Sequence, residues 1–220
     1  MRRSVPRWVL FSSVCAPIVL VGGWAISAVL QGPEYDPASR TISILGTKGA
    51  DGYWVMTSAL IALGACHVIT ACGLRSAAFP GRVALGGGGA AAMMLVLFPA
   101  PSSGGSLDHG AVVTVGFSLL AMWPVLAVRR RASGRGGVSE QRPEAVPLDR
   151  SAPWGLRPGP SLMASGLMWL GGGWFLMALF VHDTAGAAER VLTFAQSFWP
   201  LVVVVSCVRQ TARDEEPERA

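Results

Sequence analysis

The chain has 220 residues, of which 51% are hydrophobic and only 14% are charged, and its formal net charge is +5. Soluble globular domains carry about 25% charged residues. The composition therefore excludes an ordinary soluble domain and favours a polytopic membrane protein, with little chain left over for a soluble catalytic domain.

A helix that spans a bilayer needs about 20 mainly apolar residues. The sequence predicts six such spans, at about 8–30, 53–74, 83–100, 110–128, 161–181 and 188–208. The runs are continuously apolar and lack the period-two alternation of membrane strands, so we expect an all-α bundle of six transmembrane helices that forms a single membrane domain over 1–220. The first run is longer than the apolar core of a signal peptide and no clear cleavage site follows it, which favours an uncleaved span.

The basic residues predict how the spans are oriented. With the N-terminus in the cytoplasm, only Arg40, Lys48 and Arg190 lie outside, and both termini of a multi-pass cell-membrane protein are cytoplasmic. The net charge then orients the helices and attracts anionic lipid, and it does not indicate nucleic-acid binding. The cytoplasmic set comprises Arg2, Arg3, Arg7, Arg75, Arg82, Arg129, Arg130, Arg131, Arg135, Arg142, Arg150, Arg157, Arg209, Arg213 and Arg219.

Two connecting segments differ in character. Residues 129–160 are rich in Arg, Gly and Pro, and they predict a disordered cytoplasmic linker. Residues 31–52 combine turn-forming residues with the apolar side chains of Ile42, Ile44 and Leu45. This mixture predicts an ordered loop or a short interfacial helix packed on the outer end of the bundle.

Three short motifs lie between the predicted helices in a fixed order. They are Tyr35-Asp36-Pro37 with Thr41-Ile42-Ser43-Ile44-Leu45-Gly46, then Leu97-Phe98-Pro99 with Asp108-His109, then Ala188-Glu189-Arg190-Val191 with Trp199. Through them the chain resembles the bacterial six-helix membrane family called domain of unknown function 998. The resemblance covers nearly the whole chain except the linker, and it implies fold and location more than chemistry.

The chain departs from this family at two positions. Members often carry an acid near Ile44 and another just after the Phe-Pro pair, where this sequence has Ile44 and Pro101. An activity that depends on those acids would be absent here or would use neighbouring residues.

Polar residues collect at the predicted outer ends of the helices. Ionisable groups near a membrane are costly unless they are paired or hydrated, so they are candidates for function. We take Asp36, Asp108 and Glu189 as candidate catalytic acids. An alternative is purely structural, with acids favoured at helix N-termini and arginines as their salt-bridge partners. The candidate substrate-binding residues are Arg40, Ser43, His109, His182 and Arg190.

Other chemistries receive less support from the sequence. No HExxH motif is present, so we predict no metal and no cofactor. Four cysteines lie in or at the ends of spans without CxxC spacing, as buried apolar residues do. His67 lies deep in the second predicted span, where it is either satisfied by a neighbouring hydroxyl or acts as a proton relay. The glycine run 86–89 predicts close helix packing.

Two functional hypotheses follow. The first is a membrane protein that binds or handles a lipid or isoprenoid-like molecule at the outer side of the bundle. The alternative is a membrane-embedded, protonation-initiated terpene cyclase or isomerase that uses an outer carboxylic acid. Transport is less favoured, because we find no repeat of three helices plus three and only His67 lies deep in a span. The expected partners are membrane lipids and a hydrophobic small molecule.

Overall fold

A computed structural model describes residues 5–102, 104–129, 152–181 and 183–215. Within these ranges the chain contains α-helices and one 3₁₀ turn at Trp154–Leu156, with no strand, so the all-α prediction is confirmed. The helices are α1 (Arg7–Leu30), α2 (Ile42–Leu45), α3 (Tyr53–Gly73), α4 (Phe79–Met94), α5 (Leu107–Leu126), α6 (Pro158–Val181) and α7 (Ala185–Glu215).

Five helices, α1, α3, α5, α6 and α7, are long and apolar enough to cross a membrane. Together with the composition, they indicate a multi-pass membrane protein. The predicted third span differs from the structure, because α4 begins at Phe79 and ends at Met94. Its 16 residues extend about 24 Å at 1.5 Å per residue, which is less than the hydrocarbon thickness of about 30 Å. The apolar residues 95–98 continue as turns, since the prolines at 99 and 101 disfavour helix in the residues before them.

The long helices pack as a closed ring. Each helix contacts the next in the order α1, α3, α4, α5, α6 and α7, and α7 returns to contact α1. We call the end where α1 finishes and α3, α5 and α7 begin the loop end, which corresponds to the predicted outer side. The opposite end, where α1 and α6 begin, is the linker end.

The short helix α2 covers part of the loop end. Its residues Ile42 and Leu45 are buried, and with Tyr35 they pack against Leu20 of α1 and Met56 of α3. The apolar residues of the segment 31–52 therefore fold onto the bundle, as the sequence predicted. Most of the predicted linker 129–160 lies outside the described residues, and so does the prediction of its disorder.

Small residues allow α3 and α4 to approach closely. A Cβ atom added at Gly89 would lie 2.6 Å from the carbonyl oxygen of Gly64 and 2.8 Å from the Cβ of His67. Such contacts exclude any larger side chain without a backbone shift. The close-packing interpretation of the glycine run is therefore confirmed at Gly89.

The linker end is filled by apolar side chains. Leu74, Leu85, Trp123, Val203 and Val204 are all essentially inaccessible to solvent, and they belong to one cluster that joins α3, α4, α5 and α7. This cluster closes the interior of the ring at the linker end.

Candidate functional site

A cavity of about 80 Å³ lies inside the ring. Side chains from α1, α2, α3, α4, α5 and α7 line it, and most of them are apolar, among them Leu20, Leu63, Ala91 and Val112. Small-molecule sites in proteins are commonly apolar pockets with a few polar groups that converge inside them. The polar residues on this wall are Ser43, His67, His109, Glu189, Thr193, Gln196 and Ser197.

Glu189 is the central acid of the site. It lies one turn into α7 and is only 3% exposed. Its carboxylate accepts a hydrogen bond from the backbone N–H of Ile42, and its Oε1 accepts one from Ser43 Oγ at 3.1 Å. The first N–H groups of a helix have no partner within the helix, and Thr41, which precedes α2, forms no side-chain cap. Glu189 therefore takes the role of the missing N-cap of α2 from another helix.

His109 joins the same cluster from the first turn of α5. Ser106 caps this helix by accepting the backbone N–H of His109 at 3.3 Å. The imidazole Nδ1 lies 2.8 Å from the carbonyl oxygen of Phe98, and its Nε2 lies 3.3 Å from Ser43 Oγ. Since a carbonyl oxygen only accepts, Nδ1 carries a proton and Nε2 faces the serine.

Ser43 lies between Glu189 and His109 and has a single hydroxyl proton to donate. It can donate that proton to the Glu189 carboxylate or to His109 Nε2, so the serine links the acid and the imidazole.

Two further polar residues lie on the cavity wall without full hydrogen bonding. Gln196 and His67 are each only 1% exposed. Gln196 Nε2 donates to the carbonyl oxygen of Phe117 at 3.0 Å, whereas Gln196 Oε1 and His67 Nδ1 have no partner among the described residues. A buried polar atom left unpaired costs about 1–3 kcal/mol. The hydroxyl of Thr70 bonds Ser12 of α1 at 2.8 Å and does not bond His67 Nδ1.

Arg190 points away from the cavity and fastens the loop to α7. Its Nη1 donates to the carbonyl oxygens of Pro37 at 2.7 Å, Arg40 at 3.0 Å and Gly186 at 3.0 Å, and its Nη2 donates to Tyr35 Oη at 2.7 Å. Burial raises the pKa of the Tyr35 hydroxyl, which the adjacent guanidinium opposes. The salt bridge that the structural alternative expects is absent in the described part of the chain, since these bonds go to uncharged oxygens.

The remaining predicted site residues lie apart from the cavity. Asp36 is exposed and accepts from Ser39 Oγ at 2.6 Å and Ala38 N at 3.0 Å, and the Ser39 hydroxyl and these backbone bonds lower its pKa. Arg40 and Asp108 are exposed, and neither lines the cavity. His182 lies outside the described residues. The structure thus brings together three predicted residues, Ser43, His109 and Glu189.

The polar face of α7 was not predicted from the sequence. Thr193, Gln196 and Ser197 follow Glu189 at helical spacing and line the same cavity. Polar residues that recur on one face of an otherwise apolar helix were the available signal. Among the described residues, no group of three or more His, Cys, Asp or Glu side chains is placed to hold a metal ion.

A comparison with known protein families identifies the family to which this chain is similar. The model of a family described as protein of unknown function (DUF998) matches residues 13–206, which include every residue of the cavity wall. No curated protein and no solved structure matches the chain. The match confirms the resemblance carried by the three sequence motifs.

Proposed function

The chain belongs to the DUF998 family, and we propose that it is a six-span membrane protein that binds the polar end of a lipid or isoprenoid-like molecule in the cavity of its ring. The observation that carries this proposal is Glu189, a buried acid that is hydrogen-bonded to Ser43, which in turn contacts His109, on the wall of a largely apolar cavity. Ionisable groups buried in membrane proteins are costly and commonly mark sites of function.

The linker end of the cavity is closed. The apolar cluster around Trp123 and Leu85 separates the cavity from that end of the bundle. A ligand in the cavity would therefore end against packed apolar side chains.

The size of the cavity limits the part of a ligand that it accepts. Its volume of about 80 Å³ is about half of the roughly 150 Å³ of an engineered cavity that binds benzene. We therefore propose that only one end of an amphiphile enters the cavity, while the chain follows the apolar wall formed by residues such as Val112 and Val113.

We propose that α4 is the sixth span, that both termini are cytoplasmic and that the loop end faces outwards. Arginine placement supports this orientation, since Arg82 at the linker end donates to the carbonyl oxygens of Ala71 at 2.7 Å and Cys72 at 2.8 Å. Cations at helix C-termini are favourable, and cytoplasmic ends of spans are rich in arginine.

The terpene cyclase alternative gains no support from the comparisons, and we do not propose it.

The test is to identify what the purified protein carries. We would reconstitute the full chain in nanodiscs, extract bound molecules and quantify them by mass spectrometry, for the wild type, Glu189→Ala and the control Glu34→Gln. Glu34 is an exposed acid of the loop that does not line the cavity. We expect an amphiphile enriched over the bilayer composition in the wild type and in Glu34→Gln, and lost in Glu189→Ala. Extracts that match the bilayer for all three proteins would refute the proposal.

A further inference from the structure

We infer that Gln196 and His67 form a hydrogen-bonding subsite at the inner part of the cavity, and that this subsite selects an uncharged hydroxyl group as the polar end of the ligand. The inference rests on the proposed function and deepens it, because it names the class of amphiphile: an isoprenoid or fatty alcohol. It stands on two unpaired buried atoms and on the charges of the cavity wall.

Gln196 offers a fixed acceptor. Its amide nitrogen donates to the carbonyl oxygen of Phe117 at 3.0 Å, and this contact determines which end of the amide is nitrogen and which is oxygen. The oxygen, Oε1, is inaccessible and has no partner among the described residues. A ligand that enters the cavity can satisfy it only with a donor.

His67 offers the second contact. Its Cβ lies against Gly89 of α4, which holds the side chain in the interior of the ring, and the residue lines the cavity. Its Nδ1 has no partner in the described part of the chain. The other hydroxyls of α7 on this wall are already engaged, since Thr193 donates to the carbonyl oxygen of Glu189 at 2.7 Å and Ser197 donates to that of Phe194 at 3.0 Å.

A hydroxyl group matches this pair because it both donates and accepts. It can donate to Gln196 Oε1 and accept from an imidazole N–H. A hydrocarbon end would leave both atoms unpaired, and sites with buried polar groups reject analogues that lack the matching group.

The charged side chains of the cavity wall disfavour a ligand with an anionic polar end. No lysine or arginine is among the described residues that line the cavity. Arg190 is engaged with the loop oxygens, beginning with Pro37 at 2.7 Å. A phosphate or carboxylate would therefore meet the acid Glu189 with no lysine or arginine to compensate it, which is unfavourable in a buried site.

The experiment compares probes that share one carbon skeleton. Radiolabelled farnesol is bound to the detergent-solubilised full chain and displaced by unlabelled farnesol, farnesyl phosphate or farnesene. We expect the alcohol to compete better than each of the other two by about tenfold or more. The variants Gln196→Leu and His67→Phe are expected to remove the preference for alcohol over hydrocarbon. Thr70→Val is the matched control, since Thr70 lies one turn from His67 on α3 but bonds Ser12 and does not line the cavity.

Each outcome decides the inference. Equal competition by the phosphate or the hydrocarbon in the wild type overturns it, even when the variants fail to fold. A preference for alcohol that persists in folded Gln196→Leu and His67→Phe proteins also overturns it, because the hydroxyl then binds elsewhere, for example at Glu189. Saturable binding without discrimination would contradict the subsite alone, whereas absence of saturable binding by every probe would contradict the proposed function itself.

Discussion

The carboxylate of Glu189 accepts the backbone N–H of Ile42, a residue 147 positions earlier in the chain. This bond places the acid at the N-terminus of α2, a helix that forms no side-chain cap of its own. The same carboxylate lines the cavity. The Glu189 side chain therefore contributes both to the closure of the loop 31–52 and to the assembly of the site.

Glu189→Ala is expected to loosen the loop. The change leaves the buried N–H of Ile42 without its acceptor, which costs about 1–3 kcal/mol. Hydrogen–deuterium exchange should become faster in residues 31–52 and remain unchanged in the linker-end cluster. Glu189→Gln keeps one acceptor oxygen and should show a smaller change. Equal protection of the loop in Glu189→Ala and the wild type would mean that the bond does not hold α2.

Arg190→Lys is expected to lower thermal stability, although it preserves the charge. The guanidinium bonds four oxygens at once, and an ammonium group cannot reproduce that planar fork. We expect a loss of about 1–3 kcal/mol, measured as a lower unfolding midpoint in detergent. Arg40→Lys is the control, because the Arg40 side chain is exposed and forms no hydrogen bond within the described residues. Similar midpoints for the two variants would contradict the fastening role of Arg190.

Local composition explains why much of the fold was predictable. The apolar runs predict α1, α3, α5, α6 and α7, because the hydropathy of a segment depends only on the residues of that segment. The loop helix α2 was predictable for the same reason, since Ile42 and Leu45 are apolar residues in a polar connection that has to bury them. The end of α4 was misjudged because Leu97 and Phe98 suit a span, whereas the prolines that follow disfavour helix there.

The candidate site was only partly predictable, for a different physical reason. Glu189 and His109 were found because charged groups near a membrane are conspicuous in sequence. Gln196 was not predicted because a single uncharged polar side chain in an apolar helix indicates a binding site only when its neighbours in space are known. The ring packing that places it on the same wall as His67 of α3 is a non-local property.

Gly89→Ala is expected to disturb the contact between α3 and α4. The added methyl group would lie 2.6 Å from the Gly64 carbonyl oxygen, and overpacking of this kind costs about 1–3 kcal/mol. Gly86→Ala is a matched control from the same run, because its Cβ would lie 3.6 Å from that of Ala71, an ordinary contact. Unfolding midpoints in detergent should fall for Gly89→Ala only. Equal midpoints would show that the helices can separate at little cost.

The turn at Asp36 is expected to be sensitive to acid. Its hydrogen bonds from Ser39 and Ala38 favour the carboxylate, so its folded-state pKa lies below the ordinary value of 3.8. The contribution of this group is present above that ordinary value and is lost as the pH falls through the lower folded-state value. Pepsin cleavage within residues 31–52 should therefore increase as the pH is lowered through this window. Asp36→Asn should reduce the pH dependence, while Asp51→Asn, in an exposed position of the same loop, should leave it unchanged.

The orientation of the chain can be tested at Lys48, the sole lysine of the sequence. Lys48 is exposed in the loop between α2 and α3, at the end of the bundle that we assign to the outside. A membrane-impermeant amine reagent added to intact cells should therefore label the chain, and Lys48→Arg should abolish that labelling. Reporters fused to the two ends should both report the cytoplasm if α4 crosses the membrane, because six crossings return the chain to its starting side. Five crossings, with α4 failing to span, would place the two reporters on opposite sides. Labelling of Lys48 only after cell lysis would instead reverse the assignment of the loop end.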